Sequence, residues 1–133
     1  MHYGALMSVP DDRRYSPDHH WVQVDGELLR VGLTDFAQDA LGEITLVQFG
    51  ETGVRLEAGA EMGEVEAFKA MTDLYIPVDA TVVEINDELA DAPAIVNEDP
   101  YGDGWLCRIR ADRPDALDAL LDAGAYGDLI GAS

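Results

Sequence analysis

Few side chains in this chain can do covalent chemistry. Lys69, within "GEVEAFKAMTDLY" (63 to 75), is the only lysine; the other seven basic residues are arginines. A lysine amine is a flexible nucleophile that can be acylated, which a guanidinium cannot match. Cys107 is the only cysteine, and with His19 or His20 it has the composition of a nucleophile and base. It lies inside "WLCRIR", however, an alternating run in which a free cysteine is usually core. His19 and His20 are neighbours, and neighbours on a strand face opposite ways, so they do not readily share a metal ion. No phosphate loop, zinc spacing or triad motif is present. The commonest fate of a lysine is plain solvation, so Lys69 needs its surroundings to argue for it.

Those surroundings are two alternating runs. In "EVEAF", Val65 and Ala67 fall on one face; in "DLYIPV", Leu74, Ile76 and Val78 do. Two strands flanking Lys69 put it at or near a hairpin tip. The segment "AFKAMT" has no Gly, Pro, Asn or Asp at its centre and alone is compatible with a helix, so the turn is inferred from its flanks.

The rest of the chain repeats this grammar. "WVQVDGELLRVGLT" (21 to 34) reads as two strands joined at Asp25-Gly26. "TDFAQDALGE" reads as a short helix capped by Thr34 or Asp35, with Phe36, Ala40 and Leu41 on one face and Gly42 as its stop. "EITLVQF", "TVVEIN" and "WLCRIR" read as strands. Residues 54 to 63 read as short strands with tight corners, and 87 to 104 as a long segment with a helical turn and many breakers. Pro114 opens a predicted helix over "PDALDALLDAG", with Leu117, Leu120 and Leu121 on one face and Gly124 as its end. Many short strands with few helices predict a mainly β protein, a sandwich or barrel.

At 133 residues the chain has the length of one domain. A flexible segment is expected over 1 to 14, with Met7 as an alternative start, and a single domain over 15 to 133. The net charge of −19, from 27 acidic and 8 basic residues, argues against nucleic acid and anionic membranes as partners. It favours basic protein partners, although acidity also serves solubility alone. A lone cysteine and a start with neither a signal-peptide nor a transit-peptide pattern point to a reducing, cytoplasmic setting.

Four segments, "VGLTDFAQDALGEITLVQF", "GEVEAFKAMTDLYIPV", "EINDEL" and "VNEDPYGDGWL", occur in an order and spacing that resembles the glycine cleavage system H proteins. The resemblance runs from about Tyr15 to Tyr126. It implies a biotinyl/lipoyl-type β-sandwich (a barrel-sandwich hybrid) with a few short helices, one of them near the C-terminus. It also implies that Lys69 carries lipoic acid in amide linkage, attached by a lipoate ligase or an octanoyl/lipoyl transferase. The implied role is that of a carrier with no catalytic residues of its own. It would shuttle an aminomethyl group between a pyridoxal-phosphate-dependent glycine decarboxylase, a folate-dependent aminomethyltransferase and dihydrolipoyl dehydrogenase.

By the same resemblance, Glu66 matches a residue that helps the lipoylating enzyme recognise the hairpin. Asp73 matches one placed to accept from the bound aminomethyl ammonium, and His19 matches a structural histidine. Other positions depart from the pattern. Phe68, Met71 and Thr72 replace smaller residues, and Phe68 on a tip would be exposed. His20 stands where the family has a glutamate that helps hold the ammonium; a neutral imidazole accepts one hydrogen bond and adds no negative charge. Asp18 is near enough in sequence to compensate. Ala80 replaces a common glycine and would be strained if the position needs positive φ. These departures keep open an H-like lipoyl carrier outside glycine cleavage, in a redox or modification pathway, and an unmodified binding scaffold. A biotin carrier is disfavoured, because Phe68 and Ala70 flank the lysine where such carriers have methionines.

Overall fold

The computed structural model describes residues 8 to 131. The alternating runs become nine strands: β1 (Arg14–Tyr15), β2 (His20–Asp25), β3 (Leu28–Leu33), β4 (Ile44–Phe49), β5 (Arg55–Leu56), β6 (Glu61–Ala67), β7 (Met71–Tyr75), β8 (Ala80–Ile85) and β9 (Cys107–Ala111). They form two antiparallel sheets. One has six strands in the order β1-β2-β3-β9-β8-β5, the other three in the order β4-β6-β7. Val22, Val31, Val65, Leu74, Ile76 and Ile109 are buried in a single core fed by both sheets. This is the mainly β, two-sheet architecture that the strand pattern predicts.

The β2–β3 hairpin turns at Gly26, whose φ of 64° suits a residue without a side chain. Gly32 in β3 has a different reason. A Cβ there would stand 2.4 Å from the Trp21 ring, and Trp21 is fully buried with its indole N–H donating to the Pro100 carbonyl at 2.8 Å.

Helix α1 (Asp35–Leu41) starts where Thr34 caps it, the hydroxyl accepting from Ala37 N–H. It ends at Gly42, φ 82°. Its buried residues are Ala37 and Leu41; Phe36 and Ala40 instead line a surface cleft, so the apolar face read as core is shared with a site. The expected helical turn after residue 86 is two short helices, α2 (Glu88–Asp91) and α3 (Ile95–Glu98).

The C-terminal region corrects the sequence reading. Residues Ala116–Ala119 form a single 3₁₀ turn, and the helix α4 spans Ala123–Ile130. The break between them has a physical cause. Leu121 exchanges both backbone hydrogen bonds with Tyr15 at 2.8 Å, which holds it extended. Asp122 then caps α4 by accepting from Ala125 N–H. Gly124, read as a stop, lies inside the first turn, and Gly131 at φ 74° ends the helix. Ala80 is also settled: His19 is the one non-glycine residue with positive φ among the described residues. Ala80 is therefore an unstrained, buried strand residue.

The segment expected to be flexible lies partly outside the described residues. Within the described part, the Arg13 guanidinium lies 4.7 Å from the Trp21 ring centroid, and Arg14 pairs with Val22.

Candidate functional site

Lys69 sits at the tip of the β6–β7 hairpin, in the three-residue turn between Ala67 and Met71. The register Val65↔Thr72 and Glu66↔Met71 runs up to the turn, and Ala67 N–H donates to the Ala70 carbonyl at 2.8 Å to close it. No turn-forming residue is needed, because the tip is held from outside. Phe68 N–H donates to the Glu43 carbonyl at 2.8 Å, and Lys69 N–H to the Leu41 carbonyl at 3.2 Å. The C-terminal end of α1 thus supplies acceptors that a local turn would otherwise provide.

Asn97 of α3 braces that support. Its Oδ1 accepts from Ile44 N–H at 2.8 Å, and its amide donates to the Gly42 carbonyl at 2.8 Å and to Gln38 Oε1 at 3.0 Å. The lysine stem lies across Gly42: a Cβ there would be 3.1 Å from Lys69 Cγ. The amine is exposed beside a shallow depression that Asp39, Glu43, Asn97 and Glu98 also line.

On the other side of α1 lies a cleft of about 390 Å³. Its walls are apolar where Leu33, Phe36, Ala40 and Leu41 contribute, and acidic or polar where Asp18, His19, Asp73 and Tyr75 do. Leu41 links the two places, lining the cleft with its side chain and holding Lys69 with its carbonyl. Asp73 and His20 therefore share a cleft. Lys69, Glu66 and Phe68 lie outside it, Lys69 being joined to it through Leu41. Glu66 is exposed, and Phe68 is 84% exposed. Asp73 faces Glu64 across the ladder, a like-charge pairing that a sheet does not favour, and it accepts from the Tyr75 hydroxyl at 3.4 Å.

The two histidines differ sharply. His20 is 1% exposed, and neither ring nitrogen has a hydrogen-bond partner. Burial pushes its pKa down to about 4, with neighbouring His19 adding to the effect. It is a neutral imidazole in the cleft wall, with both ring nitrogens buried and unpartnered. His19 is half-buried and adopts φ 69°. Its Nδ1 is 2.8 Å from the Tyr126 hydroxyl, which is also 2.7 Å from Thr34 Oγ1. Burial lowers its pKa, against the opposing influence of Asp18. The structural role expected for His19 fits this network, which ties the cleft to α4 and to the cap of α1. Sequence reasoning missed Tyr126 and Asn97. Each acts through a contact distant in the chain, and the sequence carries no local signal for either.

Cys107 is fully buried, 4.0 Å from Met62 Sδ, and burial pushes its thiol pKa up to about 12. That is a core residue, as its strand position suggests. Among the described residues no group of three or more His, Cys, Asp or Glu is placed to hold a metal ion, and no helix is long and apolar enough to cross a membrane.

A family model described as "Glycine cleavage H-protein" matches residues 13–132. The chain belongs to the glycine cleavage H-protein family. A probable glycine cleavage system H protein of Natronomonas pharaonis is 52% identical over 118 residues, covering 89% of this chain and 93% of that protein. The H protein of Chlorobium limicola is 50% identical over 127 residues, covering 94% of this chain and 99% of the other. A crystal structure of the H protein from Mycobacterium marinum superposes with a TM-score of 0.84 at 38% identity, over 92% of this chain and 99% of that one. Family membership accounts for the two-sheet fold and for the four segments around the hairpin.

Proposed function

We propose that this H-family chain is the lipoyl carrier of glycine cleavage, with lipoic acid in amide linkage on Lys69. The observation that carries the reading is the presentation of the chain's sole lysine on a braced hairpin tip. A carrier lysine has to meet several enzymes in one geometry, and a tip anchored at Leu41 and Glu43 offers an amine that, among the described residues, makes no hydrogen bond or ion pair. Attachment is an acyl transfer: the Lys69 amine attacks an activated lipoyl carbonyl, the C–N amide bond forms, the activating group leaves, and one positive charge is lost. The bound lipoyl group supplies a dithiolane that is reduced, carries a one-carbon amine and is reoxidised.

The protein's part is to tether, shelter and hold charge. Tethering raises the effective concentration of the arm at each partner's site. The cleft beside the tip suits the arm, with Leu33, Phe36, Ala40 and Leu41 to meet its hydrocarbon part. Asp73 and Asp18 supply carboxylates for an ammonium. His20 is a buried, neutral imidazole where the family has a carboxylate, so the negative charge needed there falls to Asp18. The partners follow from the pathway: a pyridoxal-phosphate-dependent decarboxylase, a folate-dependent aminomethyltransferase, dihydrolipoyl dehydrogenase and a lipoylating enzyme. The chain itself acts as a carrier, not as an enzyme, in the cytoplasm.

The test is exchange of the glycine carboxyl with labelled bicarbonate, catalysed by glycine decarboxylase in the presence of this protein after lipoylation. The reading predicts exchange that needs both lipoylation and Lys69. A lipoylated protein that supports no exchange would move it to a carrier outside glycine cleavage.

A further inference from the structure

The hairpin tip combines two surface properties that the carrier role does not explain. Phe68 is 84% exposed and Met71 is 62% exposed, and they bracket Lys69 in sequence. Of the five large apolar side chains exposed among the described residues, these two are the ones within reach of the acylation site. An exposed Phe beside a Met is a costly thing to leave in water, and it is a common form of recognition anchor. The tip is also rigid, tied by the Phe68 N–H to Glu43 and the Lys69 N–H to Leu41, so docking it costs little conformational entropy.

Charge is the second property. The strands β4, β6 and β7 contain no arginine, whereas they carry Glu61, Glu64, Glu66 and Asp73. The arginines lie on or beside strands of the other sheet, as with Arg14 on β1, Arg30 on β3, Arg55 on β5 and Arg108 on β9. Glu43 and Glu98 are exposed near the tip as well. An apolar pair set in a carboxylate collar is complementary to an apolar socket rimmed by basic residues.

We propose that Phe68 and Met71 are the docking anchors by which the enzyme that delivers the activated acyl group recognises this hairpin, seating in an apolar socket whose rim is basic. The inference rests on the carrier reading of Lys69. Phe68 directly precedes the acylated residue, so among the enzymes that meet this chain the acylating one must pack closest to it. In the step itself, the Lys69 amine attacks the carbonyl of lipoyl adenylate, the amide bond forms, the mixed-anhydride bond from the acyl carbon to the phosphate oxygen breaks with AMP leaving, and the proton of the attacking nitrogen passes to solvent.

The test is steady-state lipoylation by a purified lipoate ligase with lipoate and ATP, read by intact mass. The substrates are the wild type, Phe68→Ser, Met71→Ser and a Val24→Ser control on the other sheet, each checked for an unchanged melting temperature. The expected result is a KM raised about tenfold by either tip variant, no change for the control, recovery in Phe68→Leu, and a wild-type KM that rises with salt. Tip variants acylated as readily as the wild type would overturn the docking assignment while leaving the carrier reading intact. So would a defect confined to decarboxylase exchange on pre-lipoylated variants, or a wild-type dimer that Phe68→Ser dissolves. A wild type that takes no lipoyl group overturns the carrier reading, and the docking assignment falls with it.

Discussion

The backbone N–H of Lys69 donates to the carbonyl of Leu41 at 3.2 Å, so the tip of one hairpin hangs from the end of helix α1. That bond makes the position of the amine a property of α1 and of whatever holds α1 in place. Asn97 is what holds it, through three hydrogen bonds to Gln38, Gly42 and Ile44.

Asn97→Ala should therefore lower stability and disturb the tip together. Losing its three partly buried hydrogen bonds costs about 3 kcal/mol or more, since each is worth about 1 kcal/mol net and the stranded partners add a desolvation cost. Urea denaturation should show an earlier midpoint with an unchanged slope. Hydrogen exchange at the Phe68 and Lys69 amides should accelerate more than that of the β2–β3 amides. A uniform acceleration would separate Asn97 from the tip.

His20 sets a dependence on pH. Its folded pKa of about 4 lies below the ordinary 6.5, so the unfolded chain binds the proton more readily. The neutral buried form contributes stability that is complete above pH 6.5 and is lost as the pH falls toward 4. His20→Leu removes this term and two unpartnered nitrogens. It should be neutral or stabilising at pH 7.5. Its advantage over the wild type should grow on acidification, by on the order of 3 kcal/mol across the window. A stability difference that stays constant between pH 7.5 and 4.5 would contradict a neutral buried imidazole.

Net charge predicts a response to salt. With 27 acidic and 8 basic residues, repulsion among exposed carboxylates outweighs the few pairs, such as Arg108 with Asp25 and Glu84, both at 2.7 Å. Exposed pairs are weak, and screening acts on repulsion and attraction alike. The melting temperature should rise between roughly 10 and 500 mM NaCl, a range over which the Debye length drops from about 30 Å to a few Å. A steady fall would mean that the ion pairs dominate.

Much of this arrangement is legible in the sequence, and the exceptions share a cause. The hairpin around Lys69, the Asp25-Gly26 turn and the Thr34 cap are written in period and local chemistry. The C-terminal helix lies outside the segment that the pattern favours: "PDALDALLDAG" has good helical spacing, while the deciding interaction, Leu121 pairing with Tyr15, is distant in the chain. Phe36 and Ala40 share a helix face with Leu41, and period alone does not separate a core face from a cleft wall. The burial of His20 and the Tyr126–Thr34–His19 network likewise depend on what α1 and α4 bring together.

The central claim is that Lys69 is an acyl-carrying lysine. Its most direct test is the intact mass of the protein after incubation with a lipoylating enzyme and lipoate, followed by peptide mapping, with Lys69→Arg and a known H protein alongside. The account predicts one lipoyl increment, located on Lys69, and none in Lys69→Arg. An unmodified wild type beside a fully modified control would contradict it.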